Sequence, residues 1–321
     1  MSPHSPRLAF LFPGQGSQQV GMGKELAERH AIARETFAEA DAALGFSLSA
    51  LCWEGPEEKQ KMTEFTQPAI LTASVAALRV LAEKGVAPAL AAGHSLGEYS
   101  AHVAAGTLEF ADAVRTVRNR GRYMQEAVAA GEGAMAAILG MGLEPLRAVC
   151  QEAAQGEVVS PANLNSPEQI VISGSRRAVE RAAELAKARG AKRAVLLPVS
   201  APFHCALMQP AQDRLAADLS RTLFHASIIP VVNNVDAAMT IESDKARNAL
   251  IRQVTGAVQW VECVRELLRN GAEVFVEVGP GKVLSGLMRQ IDRSQTCLNV
   301  EDEGSLEKAL ARLAAPPETA S

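Results

Sequence analysis

Ser95 stands in a pattern that could make it a nucleophile. It is the centre of Gly93-His94-Ser95-Leu96-Gly97, which follows a short apolar run and precedes a helical stretch that ends before Gly106. A G-x-S-x-G segment between a strand and a helix makes a turn so sharp that only small residues fit two positions either side of the serine. The helix also points backbone N–H groups at that serine. The pattern predicts an activated serine with half of an oxyanion hole; the alternative is a serine that only caps a helix.

His204 is the best candidate for the base that this serine needs. A serine hydroxyl is a weak nucleophile at neutral pH unless a base lies within hydrogen-bond reach. His204 lies in the proline-containing loop Pro198–Cys205, whereas the other histidines occupy helical, terminal or turn positions. No acidic residue between Ser95 and His204 stands on a convincing strand-end loop, so a serine–histidine dyad fits better than a triad. A backbone carbonyl can orient the imidazole instead.

A glycine-rich loop near the amino terminus is a second candidate part of the site. Pro13–Gly23 follows the apolar run Leu8–Phe12, at the strand end where open α/β sheets bind ligands. Gln15 lies between two glycines, so its backbone N–H is unobstructed, although the segment alone favours an ordinary turn. Gln19 stands where a dinucleotide fingerprint needs glycine, and Val283 where a Walker A loop needs Ser or Thr. Both nucleotide-binding motifs are therefore excluded.

The order of the predicted elements indicates an α/β protein with two subdomains. Apolar runs such as Leu8–Phe12 and Val274–Val278 are typical of strands covered on both faces of a parallel sheet. From Gly133 onward the order becomes βαββαβ, which is the ferredoxin-like signature. We expect a hydrolase-like parallel-sheet large subdomain with an inserted ferredoxin-like small subdomain. The expected spans are 1–130 for the first part of the large subdomain, 131–198 for the small subdomain and 199–321 for the second part.

Two helices before the Ser95 turn are predicted from spacing and from proline. The apolar residues of Lys24–Leu44 fall mainly on one side of a single helix. Pro68 is placed at a helix start, because proline lacks the N–H that the first helical turn does not use. The following stretch, Ala69–Glu83, is nearly all apolar and is expected to be buried.

The composition excludes several classes of protein. The chain has 321 residues, of which 48% are hydrophobic, so it can fill a substantial core. Its formal net charge of −4 gives no general attraction to nucleic acid or to anionic lipid. No apolar stretch approaches membrane-spanning length and no signal peptide is recognised, so we expect a cytoplasmic protein. The five cysteines are scattered and form no C-x-x-C pair, which argues against a disulfide framework and a zinc site.

Seven segments in order closely resemble the bacterial malonyl-CoA:acyl carrier protein transacylases, in the acyltransferase family of fatty acid and polyketide synthesis. The resemblance covers the chain from Leu8 to Leu313. It implies that malonyl passes from malonyl-CoA to a serine and then to the phosphopantetheine thiol of acyl carrier protein, for fatty acid biosynthesis, with no cofactor. The segments are Pro13–Gln18, Gly93–Ser100, Arg120-Gly121, Asn163–Pro167, Phe203–Cys205, Val232–Asn234 and Gly279–Leu284.

The resemblance also implies catalytic roles for individual residues. Ser95 would attack the malonyl thioester with His204 as general base. The backbone N–H groups of Gln15 and Leu96 would hold the oxyanion. A backbone carbonyl near Gln253 would orient His204, in agreement with the missing acid.

The same resemblance implies that Arg120 and Phe203 select the substrate. Arg120 would bind the malonyl carboxylate through a two-pronged contact that lysine cannot reproduce. Because a buried guanidinium without its carboxylate is costly, acetyl-CoA should be a poor substrate. In related polyketide domains, Phe at the position of Phe203 accompanies malonyl substrates and Ser accompanies methylmalonyl. Asn163 and Asn165 are candidates to line the pocket, with a turn-forming role favoured over it.

The expected partners are malonyl-CoA and acyl carrier protein, with no nucleic acid and no membrane, and the chain is expected to be a monomer. Basic residues on and after the predicted helix Arg176–Arg189 could dock an acidic carrier protein; a solvated helix face is the alternative. Two other functions use the same features: a serine thioesterase built on Ser95 and His204, and a noncatalytic module that binds carrier protein. A polyketide or malonate-decarboxylase carrier protein is an alternative acceptor.

Overall fold

The computed structural model of this chain describes residues 7–199 and 201–314. The outer ends of the first and third predicted spans, and Ser200, lie outside the described residues. Within the described residues the strands form two sheets, one of six strands and one of four. In chain order the strands are β1 (Leu8–Phe12), β2 (Leu90–Gly93), β3 (Gly133–Leu139), β4 (Val159–Ser166), β5 (Gln169–Ser175), β6 (Arg193–Leu196), β7 (Val231–Val232), β8 (Met239–Thr240), β9 (Val274–Val278) and β10 (Thr296–Val300).

The six-stranded sheet is mainly parallel and has the order β10-β9-β1-β2-β7-β8. Only β8 runs antiparallel to its neighbour. Its central strands are buried on both faces, which explains their continuous apolar sequences.

In chain order the helices are α1 (Lys24–Arg29), α2 (Ala31–Leu44), α3 (Leu48–Glu54), α4 (Glu57–Gln60), α5 (Thr63–Glu83), α6 (Gly97–Ala104), α7 (Phe110–Glu126), α8 (Leu143–Ala154), α9 (Arg176–Ala188), α10 (Gln209–Arg221), α11 (Ser243–Gln253), α12 (Trp260–Arg269), α13 (Val283–Ile291) and α14 (Glu303–Ala314).

The four-stranded sheet is antiparallel and is built in the order β3-α8-β4-β5-α9-β6. Its strands lie side by side as β4-β5-β3-β6 and fall within the predicted insert 131–198. Side chains alternate across a strand. Ile138 and Ile172 therefore pack in a separate core with α8 and α9, whereas Met135 and Val171 join the main core. The predicted α/β fold with a ferredoxin-like insert is confirmed.

Two predicted helix boundaries are wrong. Extended backbone at His30 (φ −120°, ψ 122°) separates α1 from α2, and the His30 ring lies 2.8 Å from Glu303 Oε2. Helix α5 starts at Thr63, so Pro68 lies inside it rather than at its start. The hydroxyl of Thr66 donates to Gln60 O at 2.5 Å and helps to hold the first turn. Burial of most of α5 outweighs the one backbone hydrogen bond that Pro68 cannot donate.

Helix α5 also corrects the expectation about membrane-spanning length. Among the described residues it is the one helix long and apolar enough, by length and composition, to cross a membrane. However, 78% of its most apolar window is buried inside the protein. Its apolar sequence is therefore explained by its place in the core, where it packs on α2 and α7.

The sheet brings two predicted loops to one edge. Strands β1 and β2 are parallel neighbours, and Phe12 is paired with Gly93 at their carboxyl ends. The Gln15 loop follows β1 and the Ser95 turn follows β2, so both emerge side by side. Parallel sheets place ligands at this edge.

Candidate active site

Close packing around two glycines shapes the Ser95 turn. A Cβ atom on Gly93 would lie 1.9 Å from the carbonyl of Gly97, and a Cβ on Gly97 would lie 2.1 Å from Phe12 O. Ser95 itself has a φ of 52°, a left-handed conformation that is strained for serine. The side chain of Asn234 holds it by accepting a 2.7 Å hydrogen bond from Ser95 N and donating one of 2.7 Å to Gly93 O. Asn234 therefore fixes the turn from the side of β7.

Replacing Gly97 with alanine is expected to lower the free energy of unfolding by at least about 3 kcal/mol, because the new methyl group would overlap the backbone of β1. Urea denaturation measures the change. Gly304→Ala is the control: its Cβ would lie 3.8 Å from the nearest atom in exposed helix α14, so its effect should stay below about 1 kcal/mol. Equal urea concentrations at the midpoint of unfolding for Gly97→Ala and the parent protein would contradict the packing argument.

Ser95 and His204 are in contact. Ser95 Oγ lies 2.7 Å from His204 Nε2, and His204 Nδ1 lies 2.9 Å from Gln253 O. Because a carbonyl only accepts, Nδ1 carries the proton and Nε2 is left to accept the serine proton. Within the described residues no carboxylate forms a hydrogen bond with His204, as the prediction of a dyad requires.

The environment of His204 keeps it neutral. The residue is only 3% exposed. Burial, and then the positive charge of Arg120, lower the pKa of His204 to about 3. At neutral pH the imidazole is therefore uncharged, and its Nε2 is available as a base.

Arg120 is a buried cation whose direct hydrogen-bond partners are neutral. It is 1% exposed, and its guanidinium donates to Gln67 Oε1 at 2.8 Å, Gln253 Oε1 at 2.9 Å and Ser95 Oγ at 3.1 Å. No direct ion pair within residues 7–199 and 201–314 includes Arg120, and its Nε has no hydrogen-bond partner there. Burial lowers the pKa of Arg120, since a guanidinium loses hydration in the interior. An anion entering beside Ser95 would find a guanidinium that no carboxylate contacts directly.

Two backbone N–H groups beside Ser95 are free to bind an oxyanion. Gln15 and Leu96 line the same cavity as Ser95. In the described part of the chain, no hydrogen bond is donated by either backbone N–H. A Cβ atom on Gly14 would lie 2.5 Å from His94 O, so this glycine allows the Gln15 loop to approach the Ser95 turn. The positions predicted for an oxyanion hole are therefore unoccupied by protein acceptors.

The cavity above Ser95 has a volume of about 450 Å³. One wall is the face of the small sheet that carries Met135 and Val171, and another is the start of α13. Phe203 lines the cavity, as predicted, and is 8% exposed. The floor carries Ser95 and the guanidinium of Arg120.

Asn163 and Asn165 line this cavity from strand β4, so the preferred prediction of a turn is wrong. Two residues of β4, Ala162 and Leu164, exchange backbone hydrogen bonds of 2.8 and 2.9 Å with Val258 of the large subdomain. That bridge joins β4 to the large subdomain. Asn165 Oδ1 lies 2.8 Å from His94 Nε2, which ties the small sheet to the Ser95 turn.

Sequence reasoning missed three parts of the site. Gln67 binds Arg120 from α5, and the side chain of Gln253 binds Arg120, Ser95 O and Glu98 in addition to the carbonyl contact with His204. Glu98 is fully buried beneath the turn. The one available signal was the acidic residue Glu98 in the first turn of the helix, directly after the G-x-S-x-G segment.

Ion pairs reduce the free charge of the basic surface on and after α9. Arg181 lies 2.8 Å from Glu157 and Arg189 lies 2.5 Å from Glu152. Lys192 likewise lies 2.9 Å from Glu168. Docking of an acidic partner on this surface stays a prediction, and these pairs weaken the charge argument for it.

The chain matches the acyl transferase domain family over residues 9–309. Malonyl CoA-acyl carrier protein transacylase of Escherichia coli strain K12 is 53% identical over 305 residues, which are 95% of this chain and 99% of that protein. The Bacillus subtilis protein of the same name is 49% identical over 96% of this chain and 97% of its own length.

Solved structures agree with the sequence relatives. An acyl carrier protein S-malonyltransferase from Vibrio cholerae superposes with a TM-score of 0.93 at 51% identity, over 94% of this chain and 99% of that chain. A malonyl-transacylase solved in complex with its type II PKS acyl-carrier protein gives a TM-score of 0.93 at 49% identity, over 95% of this chain and 99% of that chain. The chain therefore belongs to the acyl transferase domain family, among the malonyl CoA-acyl carrier protein transacylases.

Proposed function

We propose that this chain transfers the malonyl group of malonyl-CoA to the phosphopantetheine thiol of an acyl carrier protein, through a malonyl ester on Ser95. The observation that carries the proposal is the contact of Ser95 Oγ with both His204 Nε2 and the Arg120 guanidinium. A nucleophile, its base and a cation with no directly bonded carboxylate thus meet at one oxygen atom. This arrangement suits an acyl group that ends in a carboxylate.

In the first half-reaction, His204 Nε2 accepts the Ser95 proton while Oγ attacks the thioester carbonyl carbon. The carbonyl oxygen becomes an oxyanion, which the N–H groups of Gln15 and Leu96 bind. Collapse of this intermediate breaks the carbon–sulfur bond, and the thiolate of CoA leaves with the proton from His204. In the second half-reaction, the carrier thiol gives its proton to His204 and attacks the ester carbonyl carbon. The bond between that carbon and Ser95 Oγ then breaks, and His204 returns the proton to Oγ, which restores the Ser95 hydroxyl.

Arg120 selects the acyl group in this proposal. Its guanidinium is one hydrogen bond from Ser95 Oγ, so the malonyl carboxylate, close to the ester in the chain of atoms, can reach it. Acetyl groups carry no charge and leave the buried cation unpaired. Phe203 and Asn163 line the cavity that holds the acyl group and the pantetheine arm.

The proposed physiological setting is fatty acid biosynthesis in the cytoplasm, with the chain acting as a monomer and without a cofactor. The names of the relatives support malonyl-CoA and acyl carrier protein as substrates. The structure of a malonyl-transacylase with its type II PKS acyl-carrier protein supports a direct complex with the carrier. That structure also keeps a polyketide carrier as the alternative acceptor.

Incubation with radiolabelled malonyl-CoA is expected to label Ser95 stoichiometrically, and holo carrier protein added afterwards should take the label. The Ser95→Ala variant is expected to retain none. Transfer of the label to water at the same rate with or without carrier protein would identify a thioesterase instead. Absence of covalent label from the parent protein would identify a noncatalytic binding module.

A further inference from the structure

Glu98 is a fully buried carboxylate that is linked to Arg120 through one side chain. Its Oε2 accepts a hydrogen bond of 2.7 Å from Gln253 Nε2 and one of 2.9 Å from Asn234 N. The other end of the same amide, Gln253 Oε1, accepts from Arg120 at 2.9 Å. Gln253 therefore lies between a buried anion and a buried cation and is polarised by both. Glu98 contacts none of the reacting atoms, so any effect that it has on them passes through Gln253 and Asn234.

The second oxygen of Glu98 has no hydrogen-bond partner. Within the described residues, Glu98 Oε1 is buried and unbonded, and so are both ring nitrogens of His102. His102 Nε2 faces Glu98 Oε1 at 3.9 Å. Burial lowers the pKa of His102 to about 4, so at neutral pH its ring is uncharged and offers a nitrogen lone pair. In the tautomer of His102 that carries its proton on Nδ1, Nε2 and Oε1 are two acceptors that face each other, and a proton on Oε1 would make one of them a donor.

We propose that Glu98 is the resident counter-anion of Arg120, and that it takes up a proton at Oε1 when the malonyl carboxylate binds to Arg120. This inference rests on the proposed function. Before binding, the buried site holds one cation and, when Glu98 is ionised, one anion. After binding it would hold two anions for one cation, and the low-dielectric interior disfavours that excess. A proton from solvent at Oε1 restores the balance while Oε2 keeps its two hydrogen bonds. Glu98 is thus a positioning residue that loses its negative charge when the substrate carboxylate binds.

The surroundings of Glu98 place its proton uptake near physiological pH. Burial is the main influence and raises the pKa of Glu98 to about 7, against the lowering effect of its two hydrogen bonds and of Arg120. A further negative charge at Arg120 would raise it more, since the cation would then be neutralised. The titratable and charged groups that act on Glu98 or feel its charge are His102 and Tyr99 on its own helix, Arg120 on α7, the Asp236–Arg252 ion pair, and Cys263 on α12.

The test counts protons when malonyl-CoA binds without reaction. The Ser95→Ala protein is titrated with malonyl-CoA at pH 7 by calorimetry in two buffers of different ionisation enthalpy. We expect uptake of a fraction of a proton per malonyl-CoA bound, because burial raises the pKa of Glu98 to about 7 and leaves it partly ionised in the free protein. Acetyl-CoA is the matched control for the CoA phosphates, and its binding should take up none of this proton.

The decisive variant is Glu98→Gln in the Ser95→Ala background. Its amide oxygen can accept both hydrogen bonds of Oε2, and its NH₂ group can face His102, so it imitates protonated Glu98 without the charge. We expect no malonyl-specific proton uptake in this variant. Persistence of the uptake would assign the proton to another group, such as His204, and would overturn the proposal.

The pH dependence of affinity, measured in the same Ser95→Ala background, gives a second test. Above pH 7 the dissociation constant for malonyl-CoA should rise by up to about tenfold per pH unit, and it should be flat well below pH 7, where Glu98 is already protonated. Glu98→Gln should remove the rise. Tight malonyl-CoA binding with no proton uptake and no such rise would refute the role of Glu98 and leave the proposed function standing. Failure of malonyl-CoA to bind would overturn both.

Discussion

Replacing His204 with alanine is expected to lower the rate of malonyl transfer by about 10⁴-fold, because the serine would lose its general base in both half-reactions. The pKa of His204, lowered to about 3, makes it an available base across the whole neutral range. Stopped-flow or quenched-flow measurement of the malonyl-enzyme burst reports the first half-reaction directly. The burst should slow by this factor while the protein remains folded, as judged by circular dichroism.

The matched control for His204 is His225, which is exposed and belongs to no part of the site. His225→Ala should keep the burst rate within about twofold, as surface substitutions usually do. A loss of less than tenfold in His204→Ala would show that another group activates Ser95. Because His204 itself adopts a φ of 59°, His204→Gly would test whether backbone strain rather than the imidazole accounts for the loss.

Replacing Arg120 with alanine is expected to lower kcat/KM for malonyl-CoA by about 10³-fold, which corresponds to a buried carboxylate left without its cation. Acetyl-CoA should lose much less, because it makes no ion pair there. The ratio of the two kcat/KM values, measured by transfer to holo carrier protein, is the diagnostic quantity. Arg120→Lys should recover only part of the malonyl preference, since an ammonium cannot donate to Gln67, Gln253 and a carboxylate in one plane.

Arg115, exposed on the same helix and paired with Asp112, provides the control for Arg120. Arg115→Ala removes a surface cation and should leave the ratio of malonyl to acetyl activity unchanged. An equal fall in both activities in Arg120→Ala would mean that the guanidinium mainly supports Ser95. A fall confined to malonyl-CoA would mean that it recognises the carboxylate.

The sequence was informative where a single local rule decides the geometry. The Ser95 turn was predictable because Gly93 and Gly97 leave room that no Cβ could share. The subdomain order was predictable because strands buried on both faces are continuously apolar, whereas the insert alternates strands and helices in a known order. The lack of an acid on a strand-end loop between Ser95 and His204 favoured a dyad, and the family resemblance implied a carbonyl near Gln253. Gln253 O lies 2.9 Å from His204 Nδ1.

The remaining features depend on contacts between segments far apart in the chain. A strand is predicted over Val158–Leu164, but a turn-forming role is favoured for Asn163 within it; pairing with β5 and the bridge to Val258 keep Asn163 in the strand. Pro68 signals a helix start, but the packing of α5 carries the helix five residues further back, to Thr63. Glu98 is an ordinary helix residue by spacing, and only its depth and its contact with Gln253 reveal a charge beneath the reacting groups.

The cavity wall formed by the small sheet has an implication for how such enzymes diversify. In the proposed mechanism, the side chains that move a proton or hold the acyl carboxylate, His204 and Arg120, come from the large subdomain, whereas Met135 and Val171 of the small sheet line one wall of the cavity. Exchanges on that wall can therefore alter which thiol-bearing arm is admitted, while the reaction chemistry stays intact. Acceptor preference and catalysis therefore depend on different subdomains of one chain, and each subdomain can change in sequence independently of the other.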